Sequence, residues 1–189
     1  IQEFMIRPDG AKNFKECMQM SFLVIQNLKK ILEKKNISTN VGDEGGFAPS
    51  LNSDENAIEI IMESISLAGF TPGKDISICL DIAANELSKP KNVNYFLELI
   101  KKYPIKSIED PFSEDDWDNW SKLTKQTEIQ IVGDDLFVTN KKRLQKGIKE
   151  KSANSILVKP NQIGTVSETL KTIKLAQDNN IKTIISHRS

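Results

Sequence analysis

Four charged residues close short apolar runs in this chain: Asp81 in "ICLDIA", Glu109 in "IKSIEDPF", Asp134 in "IQIVGDD" and Lys159 in "SILVKPN". A carboxylate at the end of a buried strand is costly unless something cationic meets it. Three such carboxylates on adjacent strand ends would repel one another across a cleft that water screens poorly. A hard divalent cation held by oxygen ligands relieves that repulsion, and magnesium suits such a set. Lys159 faces two readings. A lysine at a strand end can simply lay its stem on apolar surface and reach water. Opposite a carboxylate cluster, desolvation and metal charge instead lower its pKa and make it a general base. An isolated aspartate at a strand end is most often a turn or cap residue; the regular recurrence of the set is what argues for a metal.

The elements that must hold these residues follow from the pattern around them. Apolar runs "IQEFMI", "TNVGDEGGFAP", "ISICLDIA", "IKSIED", "IQIVGDD", "SILVKPN" and "TIISHR" alternate with helical segments. The helices show apolar residues three or four apart: Phe22, Ile25, Leu28, Ile31 and Leu32; Ile58, Ile61, Ile65 and Ala68; Phe96, Leu99 and Ile100; Val166, Leu170, Ile173 and Leu175. Asp54-Glu55 and Thr139-Asn140 read as helix starts, and Gly69 as a helix stop. This alternation predicts βαβ units and a mainly parallel sheet.

Spacing narrows the architecture. Residues 81, 109, 134, 159 and 187 stand 28, 25, 25 and 28 apart, close to the roughly 30 residues of one βαβ step. Charged residues ending five successive strands favour a barrel, where all strand ends share one mouth, over an open sheet with a single switch point. The fold class read here is α/β, a partial (β/α)8-type barrel with mainly parallel strands, incomplete at both ends. Residues 1–189 read as one domain or a piece of a larger one.

Two further stretches carry chemistry. "VGDEGGFAP" puts Asp43 and Glu44 among three glycines, which permit a backbone course closed to other residues and a close approach to a ligand; it reads either as a mobile acidic loop or as a tight polar turn. "SHRS" sets the single histidine, His187, beside Arg188, whose planar fork suits phosphate or carboxylate.

Composition removes other classes. Lysine plus arginine and aspartate plus glutamate are each 26, so no bulk charge recruits nucleic acid or an anionic membrane. Neither Cys17 nor Cys79 sits in a metal or redox spacing. No apolar run reaches the roughly 20 residues of a membrane helix, and no nucleotide-binding glycine motif appears.

With these residues in view, the chain resembles the enolase family, in the blocks "IQEFMI", "VGDEGGFAP", "SIEDPFSEDDW", "IQIVGDDLFVTN", "ILVKPNQIGTVSET" and "ISHRS", which run in the family's order. The resemblance implies a cytoplasmic, homo-oligomeric hydro-lyase of glycolysis that interconverts 2-phosphoglycerate and phosphoenolpyruvate with two Mg2+ per complete site. A secondary surface or secreted pool occurs in the family. Residue by residue, it implies metal ligands at Asp81, Glu109 and Asp134, with Asp135 behind them. It makes Lys159 the base for the C2 proton and Glu44 the acid for the C3 hydroxyl, with Glu3 as partner of Glu44. Gln2 and Glu3 then lie at the substrate, Arg188 and Ser189 at its phosphate, and His187 near the catalytic centre. Two magnesium ions on the substrate carboxylate stabilise the ene-diolate in such enzymes.

The chain also departs from the family. The segment "AANELSKPKNVNYF" between Asp81 and Glu109 is compact where the family carries a longer hairpin. A small N-terminal domain, a mobile serine loop and a late lysine fall outside the sequence. The resemblance therefore implies a fragment that is poorly active alone. Its rivals are an inactive fragment with a binding or surface-receptor role, and another carboxylate enzyme of the same superfamily.

Overall fold

The computed structural model describes residues 1–187. The strands are β1 (Glu3–Arg7), β2 (Ser77–Asp81), β3 (Ile105–Glu109), β4 (Gln130–Gly133), β5 (Ser155–Val158) and β6 (Lys182–Ile185). The helices are α1 (Phe14–Lys34), α2 (Asp54–Leu67), α3 (Val93–Lys102), α4 (Trp117–Gln126), α5 (Lys141–Glu150), the short α6 (Pro160–Ile163) and α7 (Val166–Asp178). The six strands form one sheet in the order β1-β2-β3-β4-β5-β6. A doubly wound sheet reverses its strand order at a switch point; strictly sequential order is that of a barrel wall, so the fold is a partial α/β barrel. The pairings β3–β4, β4–β5 and β5–β6 are parallel.

Local chemistry explains the element boundaries. Asn13, Ser53, Asn92, Asp116, Asn140 and Thr165 each accept a backbone N–H from the first turn of the helix that follows, satisfying donors that a helix start leaves open. Thus Ser53, not Asp54, caps α2, while Asn140 caps α5 as its position in the sequence predicts. Pro160 opens α6, where its missing N–H costs nothing, and Gly164 at φ +91° closes it.

Contacts divide the chain into two units, Phe4–Ile78 and the rest. In the first, Ile31, Leu32 and Ile60 form a core cluster to which Leu28, Ile37, Phe47 and Leu51 are packed. In the second, the rings of Tyr95, Phe96, Phe112 and Trp120 meet edge to face in series, with centroids 5.4, 5.5 and 6.4 Å apart. Phe112 lies two residues beyond Asp110, so this aromatic row anchors the turn that leaves β3. Gly147 of α5 and Gly133 of β4 receive the Phe137 ring so closely that a Cβ would lie 2.4 and 2.7 Å from it. Phe137 is thereby locked between helix and strand, just beyond Asp134.

The apolar spacing that reveals the helices is not always their buried face. In α1 the buried residues are Met20, Val24, Ile31 and Leu32, whereas Phe22 and Ile25 are exposed. In α7 the buried residues are Thr169, Thr172 and Ala176, with Val166 and Leu170 exposed. The segment "TNVGDEGGFAP" is not a strand. It is an irregular loop with one antiparallel bridge, Val41 to Phe47. No helix among the described residues is long and apolar enough to cross a membrane.

Candidate active site

Register puts the charged residues on one side of the sheet. Glu109 of β3 is level with Val132 of β4, and Asp134 stands two positions beyond Val132. Gly133 is level with Ile156, which makes Asp134 level with Leu157, and Lys159 again stands two positions further on. Side chains alternate along a strand, so each even step returns to the same face. Backbone bonds carry the ladder into the strand ends: Gln2 N donates to Asp81 O at 3.0 Å, Ile82 N to Glu109 O at 3.0 Å, and Asp110 N to Val132 O at 3.1 Å. Asp81, Glu109 and the backbone of Gln2 are therefore neighbours at one end of the strands.

The side chains converge. Lys159 Nζ donates to Asp134 Oδ2 at 2.7 Å, and Gln162 Nε2 donates to Asp134 Oδ1 at 2.8 Å. Both members of the ion pair are almost fully buried. Among the described residues, ligand atoms of Glu109, Asp110 and Asp134 lie within 4.8 Å of one another. Asp81 falls outside that group, although its charge reaches Glu109; its Oδ1 accepts the Ala83 N–H at 3.0 Å.

Asp110 has no role in the sequence-based ligand set, and its geometry assigns it one. The residue is buried and sits at φ +41°, a left-handed conformation that aspartate tolerates better than most residues. Its Oδ1 accepts the Asp134 N–H at 3.0 Å and its Oδ2 the Asp135 N–H at 2.8 Å. Asp110 thus holds the backbone on which Asp134 is mounted. Asp135 is tied from the other side by Asn85 Nδ2 at 2.9 Å, which also reaches Glu114 Oε2 at 3.0 Å. No buried side-chain nitrogen or oxygen among the described residues lacks a partner.

Burial and crowding disturb the carboxyls in one direction. Glu109 is pushed up to about 9, first by burial and then by the charges of Asp81, Asp110 and Asp134, with Lys159 opposing. Asp81 rises to about 6, again chiefly from burial, with Asp134 and Asp135 adding to the shift while the Ala83 N–H and Lys159 oppose it. Burial likewise raises Asp110, against the pull of its two amides. For Lys159, burial works downward as expected of a buried amine, but the hydrogen bond and charge of Asp134, with Glu109 and Asp81, outweigh it and the pKa is raised. Paired in this way, Lys159 is an ammonium. An all-oxygen donor set whose members cannot all ionise together at neutral pH fits a hard divalent cation; it offers none of the sulfur or imidazole donors that favour zinc or copper.

Other residues marked in the sequence lie in different settings. Glu3 begins β1, and Gln2 precedes it. His187 is exposed, two residues beyond β6. Glu44 belongs to the unit Phe4–Ile78. It is exposed in a loop closed by Gly42 N to Gly46 O at 2.9 Å and Gly45 N to Gly42 O at 3.0 Å, with Gly45 at φ +82°. Phe47 fastens the end of that loop to the core of its unit. Arg188 and Ser189 lie outside the described residues.

The chain matches the family described as "Enolase, C-terminal TIM barrel domain" over residues 1–98 and 85–189. The two matches overlap over residues 85–98, from the compact segment after β2 into α3. The chain is also 57% identical over 204 aligned positions to a protein of Pelagibacter ubique (strain HTCC1062) named "Enolase", covering 100% of this chain and 49% of that one. It spans about half the length of that relative.

Proposed function

The chain belongs to the enolase family, and on that premise we propose that the full-length protein carrying it dehydrates 2-phosphoglycerate reversibly to phosphoenolpyruvate, as a magnesium-dependent hydro-lyase of the cytoplasm. Residues 1–189 form part of its catalytic barrel domain. The observation that most supports this reading is the buried Lys159–Asp134 pair at 2.7 Å, set beside Glu109 on one face of the strand ends.

Each residue type has work suited to it. Asp81, Glu109 and Asp134 would hold magnesium, which when bound supplies positive charge at the substrate carboxylate and so eases loss of a very weakly acidic neighbouring proton. Lys159 takes the proton from C2. The Asp134 carboxylate is what holds a proton on Lys159, so the free amine becomes available only when that charge is engaged elsewhere. Glu44 donates to the departing C3 hydroxyl, with Glu3 as its partner. Gln2 orients the carboxylate and hydroxyl end of the substrate, Arg188 and Ser189 take its phosphate, and His187 stands nearby. The functional unit is a homo-oligomer, as is usual in the family.

The test is phosphoenolpyruvate absorbance with the full-length protein and its Lys159→Ala variant. General bases contribute about 10²- to 10⁴-fold, so turnover should fall by at least about 10²-fold. Undiminished turnover in the variant would remove Lys159 from the mechanism. Absence of turnover in the wild-type protein would favour the binding-protein alternative.

A further inference from the structure

The end of β5 and the turn after β4 are joined by a closed ring of hydrogen bonds through two residues to which the mechanism gives no part. Thr139 Oγ1 donates to Gln162 Oε1 at 2.8 Å, and Lys159 N donates to Thr139 Oγ1 at 2.9 Å. Gln162 Nε2 reaches Asp134 Oδ1 at 2.8 Å, and Asp134 Oδ2 returns to Lys159 Nζ at 2.7 Å. The proton arrangement around this ring has one consistent solution. An ionised carboxylate only accepts, so Asp134 must face the amide nitrogen of Gln162. That turns the Gln162 oxygen toward Thr139, whose single hydroxyl proton must then be donated to it. The hydroxyl oxygen is left to receive the Lys159 backbone N–H.

The backbone that carries Thr139 is unusual. Val138 and Thr139 lie at φ +42° and +54°, a region that β-branched residues rarely enter. Such conformations persist only where the surroundings over-determine them, and they cluster at functional sites. Here the surroundings are identifiable. Thr139 is fully buried, and Thr172 Oγ1 of α7 donates to its carbonyl at 3.0 Å. Val138 N donates to Asp134 O at 2.7 Å. A left-handed turn is thus braced from α7 so that its hydroxyl meets Lys159 and Gln162 together.

We propose that Thr139, acting through Gln162, is a positioning residue that fixes Asp134 and Lys159 relative to each other. The proposal rests on the reading of Lys159 as the base, and it assigns neither Thr139 nor Gln162 a contact with substrate. The hydroxyl, not the bulk of the side chain, performs the function.

Steady-state kinetics on the full-length protein test this with Thr139→Val, Thr139→Ser, Gln162→Leu and the Thr139→Val/Gln162→Leu double variant. Thr139→Val keeps the shape and loses the hydroxyl. It and Gln162→Leu should each lower kcat about 10-fold or more with KM changed less than about twofold, since small misplacements near the chemistry cost rate. Thr139→Ser should stay within about threefold of wild type. Two residues acting in one chain are not additive, so the double variant should be no worse than the poorer single. Magnesium affinity measured by calorimetry supplies a readout besides turnover, and it should weaken in Thr139→Val and recover in Thr139→Ser. Should Thr139→Val fold poorly, the comparison of Thr139→Ser with Gln162→Leu carries the test. Additive losses, a Ser variant as impaired as Val, or a Val variant with wild-type kcat and magnesium affinity would overturn the proposal. If Lys159→Ala is inactive while Thr139→Val is normal, only the positioning role falls; if Lys159→Ala is fully active, the reading of the base falls instead.

Discussion

Replacing Asp110 separates two roles that its position permits, brace and metal ligand. Its carboxylate accepts the backbone N–H groups of Asp134 and Asp135 at 3.0 and 2.8 Å, and the residue is 4% exposed. In Asp110→Ala both donors lose their acceptor. Burial raises the Asp110 carboxyl and disfavours its charged form, so the cost lies in the two amides, each buried donor left unsatisfied costing about 1–3 kcal/mol. The expected destabilisation for the two donors is therefore about 2–6 kcal/mol, a large share of the roughly 5–15 kcal/mol typical of folded proteins. Asp110→Asn keeps one acceptor oxygen and turns an NH2 toward the other amide, so it should lose roughly half as much. Asp110→Gly relieves the left-handed φ but supplies no acceptor, and it should remain close to Ala. Urea unfolding of the metal-free full-length protein at neutral pH gives these differences from midpoints at constant slope, and a magnesium titration of each variant accompanies it. If Asp110→Ala unfolds within about 0.5 kcal/mol of wild type, the brace does not exist. If stability is unchanged while magnesium affinity falls more than tenfold, Asp110 is a ligand.

Three further outcomes follow from the same structure. Because Glu109 is raised from its ordinary 4.5 to about 9, the metal-free folded protein binds a proton there that the unfolded chain gives up; the stability contributed by that group is full in acid and should be lost as pH rises through that window, read as the difference in urea midpoints between wild type and Glu109→Gln across pH. Magnesium binds the ionised carboxylates, so at pH 7 binding should release about one proton, seen by calorimetry in buffers of different ionisation enthalpy, and the release should fade above pH 9. Gly147→Ala places a Cβ 2.4 Å from the Phe137 ring, which should cost about 1–3 kcal/mol in thermal or urea unfolding and be partly relieved by Phe137→Leu.

The strand ends were legible because a charge closing an apolar run is rare, and because period-2 runs and helical spacings alternate along the whole chain. Caps such as Asn140 were legible for the same local reason. The buried face of α7 was not. Thr169 satisfies its hydroxyl on the carbonyl of Thr165, and Thr172 shares its hydroxyl between the carbonyls of Glu168, four residues earlier, and Thr139, so both enter the interior as small, paired groups while Val166 and Leu170 stay outside. Apolar spacing registers the helix but not this exchange. The ring of Asp134, Thr139, Lys159 and Gln162 was hidden for a different reason: its members come from two strand ends and a short helix, and only parallel pairing brings them together. Asp110 stood in plain sight beside Glu109, but the backbone N–H groups that donate to its carboxylate lie two dozen residues away. The direction of the Lys159 shift also required coordinates, since burial and Asp134 act oppositely and only the 2.7 Å contact decides between them.

The most direct measurement of the central claim is a crystal structure of the full-length protein soaked in manganese, a magnesium substitute visible by anomalous scattering. The account predicts a peak bounded by carboxylate oxygens of Asp81, Glu109 and Asp134 at about 2.0–2.2 Å, with the Lys159 amine facing the same hollow. A peak elsewhere, or none at saturating manganese with those three acids turned apart, would contradict it.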